Sequence, residues 1–159
     1  MSTLVIGIGN RFRGDDGAGL EVARRLRALA PERLTAVECE GDLTSLAHRW
    51  ADETVIVVDA VEGGGLPPGT VYRLETGDEM RLVRRPSASS HGFGVLDALA
   101  LASALGCPPR QLVLYGIEVE TTCCGEGLSA PVSAAVHRLV SGLLSGEAAN
   151  EPWESGACV

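Results

Sequence analysis

The stretch LVIGIGNRFRGDDGAG, residues 4–19, decides the fold that the sequence predicts. Its first six residues form an apolar run typical of a buried strand, and a glycine-rich loop follows. Apolar residues then recur at helical spacing from Val22 to Leu29, before Pro31 ends the pattern. The stretch therefore predicts a strand, a loop and a helix in succession, which is the unit from which α/β proteins are built.

The rest of the chain repeats this alternation. The segment TVIVVDAV, residues 54–61, is β-branched on both faces and is typical of a strand inside a sheet. Further strands are predicted at residues 34–40, 70–75 and 111–118, and further helices at residues 43–50, 93–105 and 131–143. We therefore predict a three-layer α/β/α sandwich with a mainly parallel twisted sheet. The short strand 70–75 is expected at an edge, where the antiparallel direction is open to it.

One domain is expected, because a chain of 159 residues can bury a sizeable core. We assign that domain to residues 1–145. Residues 146–159 are rich in Gly, Ala, Glu, Ser and Pro and lack periodicity, so we expect a flexible tail. Residues 76–90 also lack a period and are predicted to form a loop, which carries Arg81, Arg84 and Arg85.

Composition argues against two classes of partner. The formal net charge of −8 at pH 7 would repel a nucleic-acid backbone. No run approaches the roughly 18 apolar residues that cross a bilayer, so we expect no membrane partner and a cytoplasmic location. The five cysteines form no CxxC pair and no zinc-ligand spacing, and we expect them to be free thiols.

Three residues stand out where predicted strands end or a helix begins: Asp16, Asp59 and His91. In a parallel sheet, such positions converge on the edge formed by the carboxyl ends of the strands, where ligands bind. Asp59 interrupts an apolar strand, and burying its charge would be unfavourable without a partner or a cation. Two carboxylates and an imidazole form a ligand set suited to a divalent transition metal with open positions.

Each of the three residues also has a simpler interpretation. Asp59 could be a structural residue that accepts hydrogen bonds from backbone amides of the next loop. Asp16 could cap the first helix, where an acid stabilises the helix dipole by about 0.3–1 kcal/mol. His91 could be a surface or capping residue. The interpretation as a metal site therefore depends on the occurrence of all three residues at the same edge of the sheet.

Other ligands and mechanisms fit the sequence less well. The first loop resembles a dinucleotide fingerprint, but Phe12 stands where the third glycine would be needed. Asp15 and Asp16 would also repel a pyrophosphate at the helix start. The sequence has no GxSxG elbow, no HExxH and no motif of a thiol protease. A hydrolase of this sequence would therefore use a metal.

Three ordered motifs resemble those of the nickel-iron hydrogenase maturation peptidases: GIGNRFRGDDGAG, VVDAV and SSHGFG. The similarity runs from about residue 4 to residue 143 and also includes PGTVYRLE and GLSAPVSAAV. It implies that Asp16, Asp59 and His91 form the metal site. The loop after the second strand departs from the family's Asp-Gly-Gly-Thr type, because it has the sequence EGDLT at residues 40–44. We expect substrate contacts from six residues, namely Asn10, Glu40, Gly41, Asp42, Arg84 and Arg85.

The resemblance implies an endopeptidase that removes the C-terminal extension of the hydrogenase large-subunit precursor after nickel insertion. The nickel would arrive with the substrate, and cadmium or zinc could replace it in vitro. Asp16 would also handle the proton in hydrolysis, and the enzyme is expected to be a monomer. Two alternatives remain open: a non-catalytic metal-binding chaperone of hydrogenase assembly, and a broader peptidase whose substrate has no nickel centre.

Overall fold

A computed structural model of the chain describes residues 2–30, 32–62, 65–75, 92–120, 125 and 127–146. Their strands are β1 (Thr3–Ile8), β2 (Thr35–Cys39), β3 (Thr54–Glu62), β4 (Val71–Glu75) and β5 (Gln111–Val119). Their α-helices are α1 (Ala18–Leu29), α2 (Gly92–Ala104) and α3 (Ala130–Ser145). Two 3-10 helices, Gly14–Gly17 and Leu43–Arg49, follow β1 and β2.

The five strands form one sheet in the order β2-β1-β3-β5-β4. The pairs β1–β2, β1–β3 and β3–β5 are parallel, whereas β4 runs antiparallel to β5 at one edge. The predicted fold class is confirmed, including the edge position of the short strand. All these strands lie within one residue of their predicted limits, because their apolar patterns are clear.

Apolar side chains pack against both faces of the sheet. On one face, α1 and α3 cover residues such as Val5, Val58 and Tyr115. On the other face, α2 and the second 3-10 helix cover residues such as Ile6, Val55 and Val57. Alternation of side chains along each strand produces the two clusters, since successive residues point to opposite faces. Three layers result, as predicted.

Glycines in the opening stretch allow α1 to lie directly on the sheet. A Cβ atom on Gly19 would lie 2.3 Å from the carbonyl oxygen of Val58 and 2.4 Å from that of Ile8. A Cβ atom on Gly7 would lie 1.9 Å from the carbonyl oxygen of Gly19. The glycines that resemble a dinucleotide fingerprint therefore have a packing role here. The 3-10 turn that precedes α1 was not predicted, because four residues are too few to show a period.

Several predictions concern residues outside the described part of the chain. They include the loop 76–90 with its arginines, His91, and residues 147–159 of the predicted tail. The division into a domain and a tail therefore stays a prediction. Of the cysteines, Cys39 and Cys107 are described, and both are free thiols. No helix in the described ranges is long and apolar enough to cross a membrane.

Candidate active site

Two of the three predicted metal ligands are buried carboxylates at the same edge of the sheet. Asp16 lies in the 3-10 helix that follows β1, and Asp59 lies towards the carboxyl end of the adjacent strand β3. Each residue is only 5% exposed. The elements that carry them are in contact, since β3 packs against the 3-10 helix Gly14–Gly17. Both residues therefore lie where the sequence placed them, at the edge formed by the carboxyl ends of the parallel strands.

Asp59 is held by its own strand and lies beside a glycine. Its Oδ1 atom accepts a hydrogen bond of 2.8 Å from the backbone N–H of Ala60. A backbone bond of this kind was part of the structural interpretation, although the donor belongs to β3 and not to the next loop. Gly116 on β5 is the register partner of Asp59, and Val61 and Tyr72 pack where a Gly116 side chain would be.

Hydrogen bonds shape the loop that carries Asp16. The backbone N–H of Asp16 donates to the carbonyl of Arg13 at 3.2 Å, and its carbonyl accepts from Asn10 N–H at 3.4 Å. Asn10 Oδ1 accepts from the backbone N–H of Phe12 at 2.9 Å. Asn10, for which substrate contact stays a prediction, stabilises the turn through this bond. The short polar side chain of Asn suits this local bond.

Asp15, directly before Asp16 in the sequence, has a different environment. Its carboxylate accepts hydrogen bonds from the backbone N–H and the hydroxyl of Ser129, at 2.6 Å and 2.8 Å. Asp15 is 4% exposed and joins the first loop to the start of α3. In the sequence, Asp15 stands out only as a charge that disfavours a pyrophosphate. The contact could not be found from local pattern, because 114 residues separate the partners.

Three residues that were predicted to contact substrate lie in the loop between β2 and the second 3-10 helix, namely Glu40, Gly41 and Asp42. Arg11 donates two hydrogen bonds of 3.0 Å to the Glu40 carboxylate and lowers the pKa of Glu40. Asp42 accepts from the backbone N–H of Thr44 at 2.9 Å and caps the second 3-10 helix, which lowers the pKa of Asp42. The Gly41 carbonyl accepts a 3.7 Å contact from the Cys39 thiol. All three residues are exposed, and they directly follow β2, which is an edge strand of the sheet.

His91, Arg84 and Arg85 lie outside the described residues. The residue after His91 begins α2, which packs on the face of the sheet that includes Val55 and Val57. Asp59 belongs to the same face, because it lies at alternate positions from these valines in β3. No group of three or more His, Cys, Asp or Glu suited to a metal occurs among the described residues. The structure thus describes two of the three predicted ligands together.

A fourth buried acidic residue was missed. Glu118 on β5 is 3% exposed, and its Oε2 atom accepts a hydrogen bond of 2.9 Å from the Tyr72 hydroxyl. Glu118 lies near the carboxyl end of β5 and shares a face with Asp59. The signal was present in the sequence, because Glu118 interrupts the apolar strand QLVLYGIEV much as Asp59 interrupts β3.

Comparisons with known proteins agree with this architecture. The sequence model of the hydrogenase maturation protease family matches residues 41–146. This chain belongs to that family. The solved NiFe hydrogenase maturation protease HybD from Thermococcus kodakarensis is 27% identical and superposes with a TM-score of 0.77, covering 92% of this chain and 99% of that one.

Two curated relatives have names from hydrogenase assembly. The hydrogenase expression/formation protein HupD of Thiocapsa roseopersicina is 34% identical over 118 residues, which are 72% of this chain and 53% of the relative. The hydrogenase expression/formation protein HupM of Azotobacter chroococcum is 34% identical over 136 residues, covering 82% and 64%. The chain thus spans between about half and two thirds of the length of these relatives.

Proposed function

We propose that this protein is an endopeptidase that removes the C-terminal extension of a nickel-iron hydrogenase large-subunit precursor after nickel insertion. One observation carries the proposal: Asp16 and Asp59 are buried at the carboxyl ends of neighbouring strands, in a member of a maturation protease family. Most aspartates are exposed, so two buried ones at a ligand-binding edge support a functional site.

The nickel ion in this proposal is part of the substrate. Asp16, Asp59 and His91 bind it when the precursor docks, with oxygen and nitrogen ligands of the kind that divalent transition metals accept. Recognition then depends on whether the precursor already contains its metal. A precursor without nickel lacks the group that these residues bind, so it is cleaved slowly or not at all.

The chain's own residues position the peptide and move the proton. A cation bound at this edge supplies positive charge that favours attack on the scissile carbonyl. We assign proton transfer to Asp16, because it lies in the 3-10 helix beyond the end of β1, whereas Asp59 lies within β3. The loop residues Asn10, Glu40, Gly41 and Asp42, with Arg84 and Arg85, are proposed to contact the precursor.

Incubation of the protein with purified precursor, with and without nickel, tests this function by intact mass. We expect wild-type protein to shorten only the nickel-loaded precursor. Asp59→Asn and Asp16→Asn should abolish shortening with little change in circular dichroism, because an amide keeps the shape and loses the charge. Asp97→Asn on the exposed side of α2 is the matched control and should cleave normally.

Three results would contradict the proposal in different ways. A stable complex with nickel-loaded precursor and no shortened product would support the chaperone alternative. Cleavage of the nickel-free precursor as fast as the nickel-loaded one would show that the enzyme does not recognise nickel. Normal cleavage by the Asp59→Asn or Asp16→Asn variant would show that the substituted residue has only a structural role.

A further inference from the structure

Glu118 is a buried carboxylate that the proposed mechanism does not use. It is 3% exposed and lies near the carboxyl end of β5. Glutamate is rarely buried to this extent, because a charge that leaves water must be compensated by other groups. Its Oε2 atom accepts a hydrogen bond of 2.9 Å from the Tyr72 hydroxyl on β4. Its place at the edge where ligands bind makes it a candidate for a role in the site.

Glu118 and Asp59 lie on the same face of the sheet, on neighbouring strands. The register partner of Asp59 is Gly116, which stands two residues before Glu118 in β5. Residues at alternate positions of a strand point to the same side. Neighbouring strands lie about 4.8 Å apart and rise about 3.3 Å per residue, so the Cα atoms of Asp59 and Glu118 are about 8 Å apart. The carboxylate of Glu118 therefore belongs to the surroundings of a predicted metal ligand.

Hydrogen bonds and packing hold Glu118 in place. Its backbone N–H donates to the Thr70 carbonyl at 2.8 Å, and its carbonyl accepts from Gly69 N–H at 2.8 Å. The Tyr72 ring packs beside Gly116, where a Cβ atom would lie 3.5 Å from the Cδ2 atom of the ring. From there the Tyr72 hydroxyl reaches the Glu118 carboxylate. Both the backbone and the side chain of Glu118 are thus fixed by β4 and the residues before it.

The structure does not place Glu118 as a further metal ligand. In the ranges that the structure describes, no three His, Cys, Asp or Glu residues are grouped as a metal site would require. Asp16, Asp59 and Glu118 are all described, so these three carboxylates do not form one ligand set. An effect of Glu118 on an ion bound at Asp59 would come from its charge, which acts over longer distances in a protein interior than in water.

Three arginines lie on elements that border this edge of the sheet, and all three are exposed. Arg11 and Arg13 belong to the first loop. Arg138 donates a hydrogen bond of 2.8 Å to the Gly69 carbonyl, from α3 on the opposite face of the sheet. Water and salt screen exposed charges much more than buried ones. These cations therefore offset the buried charge of Glu118 only in part.

We propose that the buried charge of Glu118 strengthens the binding of a cation at Asp16, Asp59 and His91 without contacting the ion. The inference rests on the proposed function, because the cation is the one that the site receives there. The charge of Glu118 is then what matters, and the bond to Tyr72 only holds the carboxylate in place. A purely structural role would depend on the bond instead, since any acceptor of the right shape satisfies the Tyr72 hydroxyl.

Titration calorimetry of the isolated protein with nickel or cadmium separates these two roles. Glu118→Gln keeps the shape and an acceptor for Tyr72 but loses the charge, so we expect its Kd to rise at least about tenfold. Glu118→Asp keeps the charge and shortens the side chain, so its Kd should stay within about threefold of the wild-type value. A structural role predicts the opposite order. Glu62→Gln is the matched control and should leave the Kd unchanged, because Glu62 follows Asp59 by three residues but is exposed.

Glu118→Met removes the charge with an apolar side chain of similar length, and it should also raise the Kd at least about tenfold. Circular dichroism checks that each variant is folded. A wild-type Kd in Glu118→Gln or Glu118→Met would overturn the proposal, and so would Glu118→Asp binding as weakly as Glu118→Gln. Wild-type protein that binds neither ion would overturn it as well. If the uncharged variants bind the ion weakly but the wild type never shortens the nickel-loaded precursor, the peptidase function fails and the role of Glu118 stands.

Discussion

The carboxylate of Asp15 accepts two hydrogen bonds from Ser129, one from the backbone N–H at 2.6 Å and one from the hydroxyl at 2.8 Å. Ser129 is the residue that caps the start of α3, so a negative charge is placed at the positive end of that helix. The contact ties α3 to the loop that positions Asp16. Adjacent aspartates in one motif thus have different environments, since Asp15 bonds to Ser129 and Asp16 lies in a turn that packs against β3.

Asp15→Ala should destabilise the protein by about 2–4 kcal/mol, because two charged hydrogen bonds are lost and the Ser129 N–H loses its acceptor. Urea unfolding followed by circular dichroism measures the change. Asp97→Ala, at an exposed position of α2, is the control and should alter stability by no more than about 0.5 kcal/mol. Equal stability of the Asp15→Ala variant and the wild type would show that the contact adds nothing.

Gly19→Ala should destabilise the protein by about 1–3 kcal/mol or more, although alanine is the better helix former. The added Cβ atom would lie 2.3 Å from one backbone oxygen and 2.4 Å from another, so α1 must move off the sheet. Gly41→Ala is the matched control, because no atom lies within 4 Å of the Cβ atom built there. Thermal denaturation compares the two variants. A Tm for Gly19→Ala equal to that of Gly41→Ala would contradict the close approach.

Metal binding by the isolated protein should require Asp59 and His91. We expect one nickel or cadmium ion per chain in titration calorimetry, with a modest affinity because the natural ion arrives with ligands of its own. Asp59→Asn and His91→Ala should each weaken binding at least tenfold, because even the loss of a residue that only supports a metal ligand lowers affinity by about 10- to 100-fold. His137→Ala, on the exposed side of α3, should bind as the wild type does. Unchanged affinity in the first two variants would refute the shared site.

The Cys39 thiol should react more slowly with iodoacetamide than the Cys107 thiol. Burial raises the pKa of Cys39, and the nearby charge of Asp42 acts in the same direction, so less thiolate forms at pH 7.5. Cys39 is 7% exposed, whereas Cys107 is partly exposed. Peptide mass spectrometry after a time course of alkylation gives both rates in the same sample. Labelling of Cys39 as fast as that of Cys107, or faster, would contradict the prediction.

The architecture could be predicted because its determinants are local and repeated. The apolar strands, the helical stripe of α3 and the turn residues between them each point to one structure, and their alternation implies a parallel sheet. The central place of β3 followed from its apolar residues on both faces, since such a strand must be covered twice. The sequence did not determine whether β4 runs parallel or antiparallel to its neighbour, because either direction satisfies the same alternating pattern.

The candidate site could be predicted only in part. Asp16 and Asp59 were singled out because a carboxylate at a strand end or within an apolar strand is chemically unusual, and the structure shows that both are buried at one edge of the sheet. The same signal at Glu118 was overlooked. Phe12 is 61% exposed, which had no local signal, because an aromatic residue in a loop can equally fold inward.

By itself, the sequence determined which segments form strands and helices and which polar residues stand at strand ends, because periodicity and side-chain chemistry are properties of neighbouring residues. Only the tertiary structure decided that Asp15 bonds to Ser129 while Asp16 lies beside β3, and that Gly19 must be a glycine. Those outcomes depend on distances between segments far apart in the chain. Such distances are set by how α1 and α3 pack on the sheet, and no local pattern encodes them.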